Sequence, residues 1–122
     1  THKKELSLWH ESEISVPSDS SYIKSGSGMA STINIASEMQ SYTLTDRGTW
    51  IAFQNKNNLD ILFEKDKSLF NPYGIIAVSP KKFPHVEFEK SIRFIEWVLK
   101  GRGNNIISNY TIEGQKLFFT YN

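Results

Sequence analysis

Two short runs limit what this chain can build. Leu59-Asp60-Ile61-Leu62-Phe63-Glu64 is rich in strand formers, and Gly74-Ile75-Ile76-Ala77-Val78 is a continuous apolar run of the kind found in strands buried on both faces. Tyr22 and Ile23 have the composition of one very short strand, and Lys116 to Tyr121 form a terminal extended segment rich in aromatics. The remaining periodic stretches are helical. Strands mixed with helices imply an α/β or α+β layering. So few strands cannot close a sheet, so the chain reads as part of a sheet that needs another strand or another lobe. With 122 residues it has enough length for one domain with a modest core.

The helical stretches are marked by apolar spacing and by their ends. Thr1 to Ile14 reads as a helix with Leu6 and Trp9 on one face, and Thr1 and Glu5 stand near capping-box spacing. Val16-Pro17 and Ser18 to Ser21 form a connector that runs to Lys24. Met29, Ile33, Ala36 and Met39 recur at helical spacing and read as core. Asn55 to Asn58 is a polar turn, and Pro72 holds Asn71 extended. A helix from about Val86 to Lys100 turns Phe88, Ile92, Ile95 and Leu99 inward, with Phe94 and Val98 widening that face. Gly101-Arg102-Gly103 breaks it. Asn104 to Tyr110 is a second short helix with Ile106, Ile107 and Tyr110 inward, and Gly114 marks the turn beyond it.

Composition removes several functions. The net charge is +1, so no global field recruits nucleic acid or an acidic membrane, and any anion preference must come from local geometry. There are no cysteines, which excludes disulfides, thiolate metal sites and cysteine nucleophiles. No apolar run approaches the roughly 20 residues that span a bilayer. The opening Thr1-His2-Lys3-Lys4-Glu5 is not a signal peptide, and a helix beginning at the first residue suggests a piece of something longer. The three histidines lack metal-ligand spacing, and Glu5, Glu11, Glu13, Glu38, Asp46 and Asp60 pair with no nucleophile or base. Neither enzyme activity, nor a metal, nor a cofactor is expected.

One stretch carries chemistry. In Ser41-Tyr42-Thr43-Leu44-Thr45-Asp46-Arg47-Gly48-Thr49-Trp50, Thr43 and Asp46 stand three apart, so Thr43 is expected to cap a helix that ends near Gln54 and buries Leu44, Ile51 and Ala52. Arg47 then sits one turn into that helix, with Tyr42, Thr43 and Thr45 at its start. A guanidinium beside free amides and hydroxyls suits an oxyanion. A capped helix with a solvated Arg47 accounts for the same spacing. Ser25-Gly26-Ser27-Gly28-Met29 is a glycine loop entering a helix, which forms an anion nest. It lacks the lysine of a P-loop and the spacing of a dinucleotide fingerprint, so nucleotide binding is rejected.

These stretches coincide with a family. Thr1-His2-Lys3-Lys4-Glu5, Ser25 to Met29, Asn34-Ile35-Ala36-Ser37-Glu38, Tyr42 to Trp50, Phe70-Asn71-Pro72-Tyr73 and Glu96-Trp97 resemble, in order, the extracytoplasmic tungstate-binding proteins of ABC importers. The resemblance implies one lobe of a type II periplasmic binding protein: a small sheet flanked by helices, with the ligand held in a cleft between two lobes. It implies a second lobe over about 1–80 and C-terminal helices and tail over about 81–122 that return to a first lobe. It also implies tungstate or molybdate as ligand, a membrane permease subunit as partner, no nucleic acid, and a periplasmic or membrane-anchored extracellular location.

Tungstate and molybdate are tetrahedral dianions that need several oriented N–H and O–H donors. Arg47 is the expected charge partner, with donors from Thr43, Thr45, Tyr42, Ser27, Gly28 and Thr1. Three helix starts aimed at one point would make the cradle. Asp46 is better placed as a brace for Arg47 or for the cap, since a carboxylate repels a dianion. The competing expectation is the effector-sensing domain of a LysR-like transcription regulator, which shares this type of lobe. Without a partner lobe, Phe88, Ile92, Ile95, Phe118, Phe119 and Tyr121 would lack cover, and self-association is expected.

Overall fold

A computed structural model describes residues 1–120, and the expectation for Tyr121 lies outside the described residues. The chain divides into two compact units, Thr1–Asn71 and Pro72–Asn122.

The first unit is helical. Helix α1 spans His2–Glu11, α2 spans Met29–Glu38 and α3 spans Arg47–Ala52, followed by a single 3-10 turn at Lys67–Leu69. Its core is Ile33 and Ala36 of α2 and Ile51 of α3. The expected α2 stripe is therefore real at its centre, while Met39 lies past the helix end and is exposed. The α1 helix stops at Glu11, three residues short of the expected Ile14, because Glu13 turns left-handed at φ 57°. The amides of Glu13 and Ile14 then close back on the carbonyls of His10 and Trp9 at 3.1 and 3.3 Å. Gln40 does the same after α2 at φ 49°, with Ser41 donating to Ala36 at 2.9 Å and Gln40 to Ser37 at 3.3 Å. Both are Schellman closures built without glycine.

In the second unit α4 spans Phe88–Lys100 and α5 spans Arg102–Asn109. Gly101 ends one helix and caps the next, so the expected break falls there, but α5 begins two residues earlier than expected. The two helices close tightly over Gly103. A Cβ on Gly103 would lie 2.6 Å from the Trp97 ring and 2.8 Å from its carbonyl oxygen. Phe88, Ile92, Ile95 and Val98 are half-buried, but Leu99 is exposed, as are Ile106 and Tyr110 of α5. Strands β1 (Thr111–Ile112) and β2 (Gln115–Lys116) form an antiparallel hairpin pairing Thr111 with Lys116 and Ile112 with Gln115. Its two turn residues, Glu113 at φ 51° and Gly114 at φ 76°, both have the positive φ of a type I′ turn. Leu117 is buried just beyond it.

The expected strands are not formed. Among the described residues the one sheet is that hairpin; 59–64, 74–78 and Tyr22-Ile23 carry no ladder. A strand exists only with a partner for its amides and carbonyls, and none is supplied. Most of their large apolar side chains consequently face out, Ile76 at 88% and Leu62 at 74% exposure, while Tyr22, Leu59 and Ala77 are half-buried. Of the aromatic tail, Phe118 meets the edge of Tyr73 with ring centres 5.7 Å apart, and Phe119 is exposed.

Candidate functional site

The heads of α1 and α2 open on one cavity of about 310 Å³. Helix α1 contributes Thr1, His2 and Glu5; the connector contributes Tyr22, Ile23, Lys24, Ser25 and Ser27; and α2 contributes Met29 and Thr32. Thr1 is the N-cap of α1, but its hydroxyl makes no capping bond, so the expected box with Glu5 is not formed. Glu5 is engaged elsewhere. Trp9 Nε1 donates to Glu5 Oε1 at 3.1 Å, and His2 Nδ1 lies 3.2 Å from Oε2. Tyr22 lines the same cavity from the connector. Burial alone would raise the Glu5 carboxyl, but the bonds from Trp9, Tyr22 and His2 outweigh it and hold the group below its ordinary value. The bond to Glu5, burial and the carboxylate charge together push the Tyr22 hydroxyl up.

The glycine loop enters α2 as expected. Gly26 turns left-handed at φ 61°, and Gly28 is the N-cap. With glycine at the cap, no capping side chain covers the first-turn amides. The loop is stitched by Ser25, whose Oγ lies 2.8 Å from Thr32 Oγ1, while Ser27 donates its hydroxyl to the Ser25 carbonyl at 3.1 Å. Thr32 in turn donates to the Gly28 carbonyl through both amide and hydroxyl, at 3.0 and 3.1 Å. Lys24 supplies the cavity with a cation. Residue spacing did not single it out, because a lone lysine in a polar connector has no signature.

The third expected helix start is built differently. Asp46, not Thr43, is the N-cap: its carboxylate accepts from the Thr49 amide and hydroxyl, both at 2.8 Å. A carboxylate that takes two donors outcompetes an upstream hydroxyl. Asp46 is thus the cap brace that its position suggested. Arg47 becomes the first residue of a six-residue helix rather than one turn in, and the helix ends at Ala52, exposed, instead of near Gln54. Arg47 Nη2 donates to Glu64 Oε2, and Lys65 Nζ holds Glu64 Oε1 at 2.8 Å. The Lys65 bond, with the Arg47 and Lys65 charges, keeps the Glu64 carboxyl below its ordinary value against the opposing effect of burial. Tyr42 and Thr43 are exposed, and Thr45 is half-buried with its hydroxyl 3.3 Å from the Asp46 carbonyl. Of the expected site residues, Thr1 and Ser27 line the cavity and Gly28 adjoins it. Arg47, Tyr42, Thr43 and Thr45 do not line it. Two of the three expected helix starts converge.

With this geometry in place, the relatives are informative. Residues 1–102 match the PBP superfamily domain. The chain is 42% identical over 120 residues to the tungstate-binding protein TupA of Peptoclostridium acidaminophilum, covering 97% of this chain and 42% of that protein. It is 38% identical over 122 residues to the tungstate-binding protein TupA of Campylobacter jejuni, covering 97% of this chain and 45% of that one. The crystal structure of the tungstate ABC transporter from Geobacter sulfurreducens superposes with a TM-score of 0.77 at 48% identity, over 90% of this chain and 46% of that chain. The chain thus spans less than half the length of these relatives. Its mixed architecture of helices with a small sheet is consistent with one lobe of a type II periplasmic binding protein. The chain belongs to the PBP superfamily.

Proposed function

We propose that this chain is part of the solute-binding component of an ABC importer and holds tungstate, or molybdate, by hydrogen bonds and charge without chemical change. The supporting observation is the shared cavity at the heads of α1 and α2, which gathers Thr1, Ser27 and Lys24 around a space large enough for a tetrahedral oxyanion. Both helices run ten residues, long enough for their N-terminal dipoles to favour an anion. The names of the relatives fit transport rather than the effector-sensing alternative. In this reading the protein works outside the cytoplasm, delivers its ligand to a membrane permease and needs no cofactor. Among the described residues no helix is long and apolar enough to cross a membrane.

Arg47 does not line that cavity and is proposed as a second charge that an anion meets outside it. Its pair with Glu64 occupies one guanidinium nitrogen, and the side chain remains 35% exposed, so further donors stay within reach of an anion. Tyr42, Thr43 and Thr45 are the proposed further donors; the first two are exposed and the third half-buried. Isothermal titration of the full-length protein with tungstate tests the reading. Heat of binding is expected for the wild type, and Arg47→Ala should weaken it by at least about tenfold, the worth of one charged hydrogen bond. No heat and no thermal shift with the wild type would reject the ligand.

The bare apolar side chains of Leu62, Phe63, Ile76 and Phe119 support a second reading, that this length of chain on its own self-associates. Sedimentation velocity over a concentration series tests it; a monomer at every concentration would reject it.

A further inference from the structure

The loop that leads into α2 is fastened to that helix by a relay of hydroxyls. Thr32 Oγ1 donates to the Gly28 carbonyl at 3.1 Å and lies 2.8 Å from Ser25 Oγ, seven residues back in the connector. A hydroxyl has one proton, so Thr32 spends its own on Gly28 and accepts from Ser25. Ser25 Oγ in turn accepts from the Ser27 amide at 3.4 Å, and the Ser25 carbonyl accepts the Ser27 hydroxyl at 3.1 Å. The Ser27 amide, Ser25 hydroxyl, Thr32 hydroxyl and Gly28 carbonyl therefore follow one another in a single donor-to-acceptor order. Of these residues Thr32 alone sits inside α2, one turn past its N-cap, and it is half-buried. A Cβ at Gly26 would meet no atom within 4 Å, so the tip of the loop takes its shape from hydrogen bonds rather than from packing. Ser25, Ser27 and Thr32 all line the cavity. We propose that Thr32 is a positioning residue for the oxyanion site, its hydroxyl locking the wall formed by Ser25 and Ser27 to the head of α2. This rests on the oxyanion reading above.

Two other roles for Thr32 make different predictions. A direct donor to the anion would have to withdraw its proton from the Gly28 carbonyl, and its contribution would be independent of Ser25. A purely structural hydroxyl would support the fold and leave the affinity of the folded protein unchanged. A positioning hydroxyl lowers affinity when it is removed, and does so through Ser25. The loop must then be ordered by the ligand, and binding is weaker by the cost of that ordering.

The test is a double-mutant cycle on the full-length protein with sodium tungstate, read by titration calorimetry, with the urea midpoint measured beside it to register stability separately. Thr32→Val keeps the shape of the side chain and removes the hydroxyl. Thr32→Val and Ser25→Ala are each expected to weaken binding about fivefold, the worth of one hydrogen bond. The double variant should show about the same fivefold loss, because both changes cut one link. Thr32→Ser restores the hydroxyl and should bind as the wild type does. Wild-type affinity in Thr32→Val or in Ser25→Ala overturns the proposal, whatever happens to the urea midpoint. Losses that multiply to about twenty-five-fold in the double variant overturn it too, as does Thr32→Ser binding as weakly as Thr32→Val. If Thr32→Val fails to fold, Ser25→Ala cuts the same link from the connector, and wild-type affinity there overturns the proposal equally. Absence of binding by the wild type would instead refute the oxyanion reading.

Discussion

Arg47 and Glu64 are joined across seventeen residues of sequence by a hydrogen-bonded ion pair, each about one-third exposed. The pair fixes the guanidinium at the start of α3 while leaving it open to solvent. Exposed pairs of this kind add little to stability, so its weight falls on placement of the cation.

That arrangement makes Glu64 a competitor for any anion at Arg47. Glu64→Gln keeps an acceptor for the guanidinium and removes the repelling charge. Tungstate affinity of the full-length protein should rise roughly threefold to tenfold. Calorimetry on this variant beside Arg47→Ala separates the two effects; an unchanged affinity in both would remove Arg47 from the site.

Gly103 has no room for a side chain. A methyl group there would sit 2.6 Å from the Trp97 ring and 2.8 Å from the Trp97 carbonyl oxygen, which belongs to the α4 backbone and cannot swing aside. Gly103→Ala should cost roughly 1–3 kcal/mol, as overpacking does. Urea unfolding followed by tryptophan fluorescence reads the loss as a lower midpoint.

Gln40 closes α2 in the left-handed region at φ 49°, where a side chain is strained. Gln40→Gly should stabilise the chain by about 1 kcal/mol. A raised urea midpoint with an unchanged slope would show it; a lowered midpoint would mean the Gln40 side chain has a role that its backbone strain conceals.

How much of this could be read from residues alone depends on how local the cause is. Ile33 and Ala36, the helix break at Gly101 and the turn at Gly114 follow from spacing and backbone preference within a few residues. The capping of α3 is also local, yet three candidate oxygens lie in four positions, and only coordinates show that Asp46 takes both Thr49 donors. The strands expected at 59–64 and 74–78 depend on partners far away in the chain or outside it, and composition cannot supply those. The Arg47–Glu64 pair is likewise a product of the fold. Lys24 reached the cavity by the path of the connector, with no signature of its own.

Acid should loosen the first unit at α1. The folded-state carboxyl of Glu5 is held below its ordinary value, so its bonds contribute stability that is complete above the unfolded carboxylate value near 4.3. That contribution is lost as pH falls through the lower, folded value. Trp9 fluorescence followed through an acid titration should report the loss, and Glu5→Gln should remove that pH-dependent step.

The decisive measurement is the position of the anion itself. Crystals of the full-length protein grown with sodium tungstate give an anomalous scattering peak at the tungsten atom. The peak is expected within hydrogen-bonding reach of the Thr1 and Ser27 donors, in the cavity at the heads of α1 and α2. A tungsten peak bound elsewhere, with that cavity holding only water, would contradict the assignment of the site.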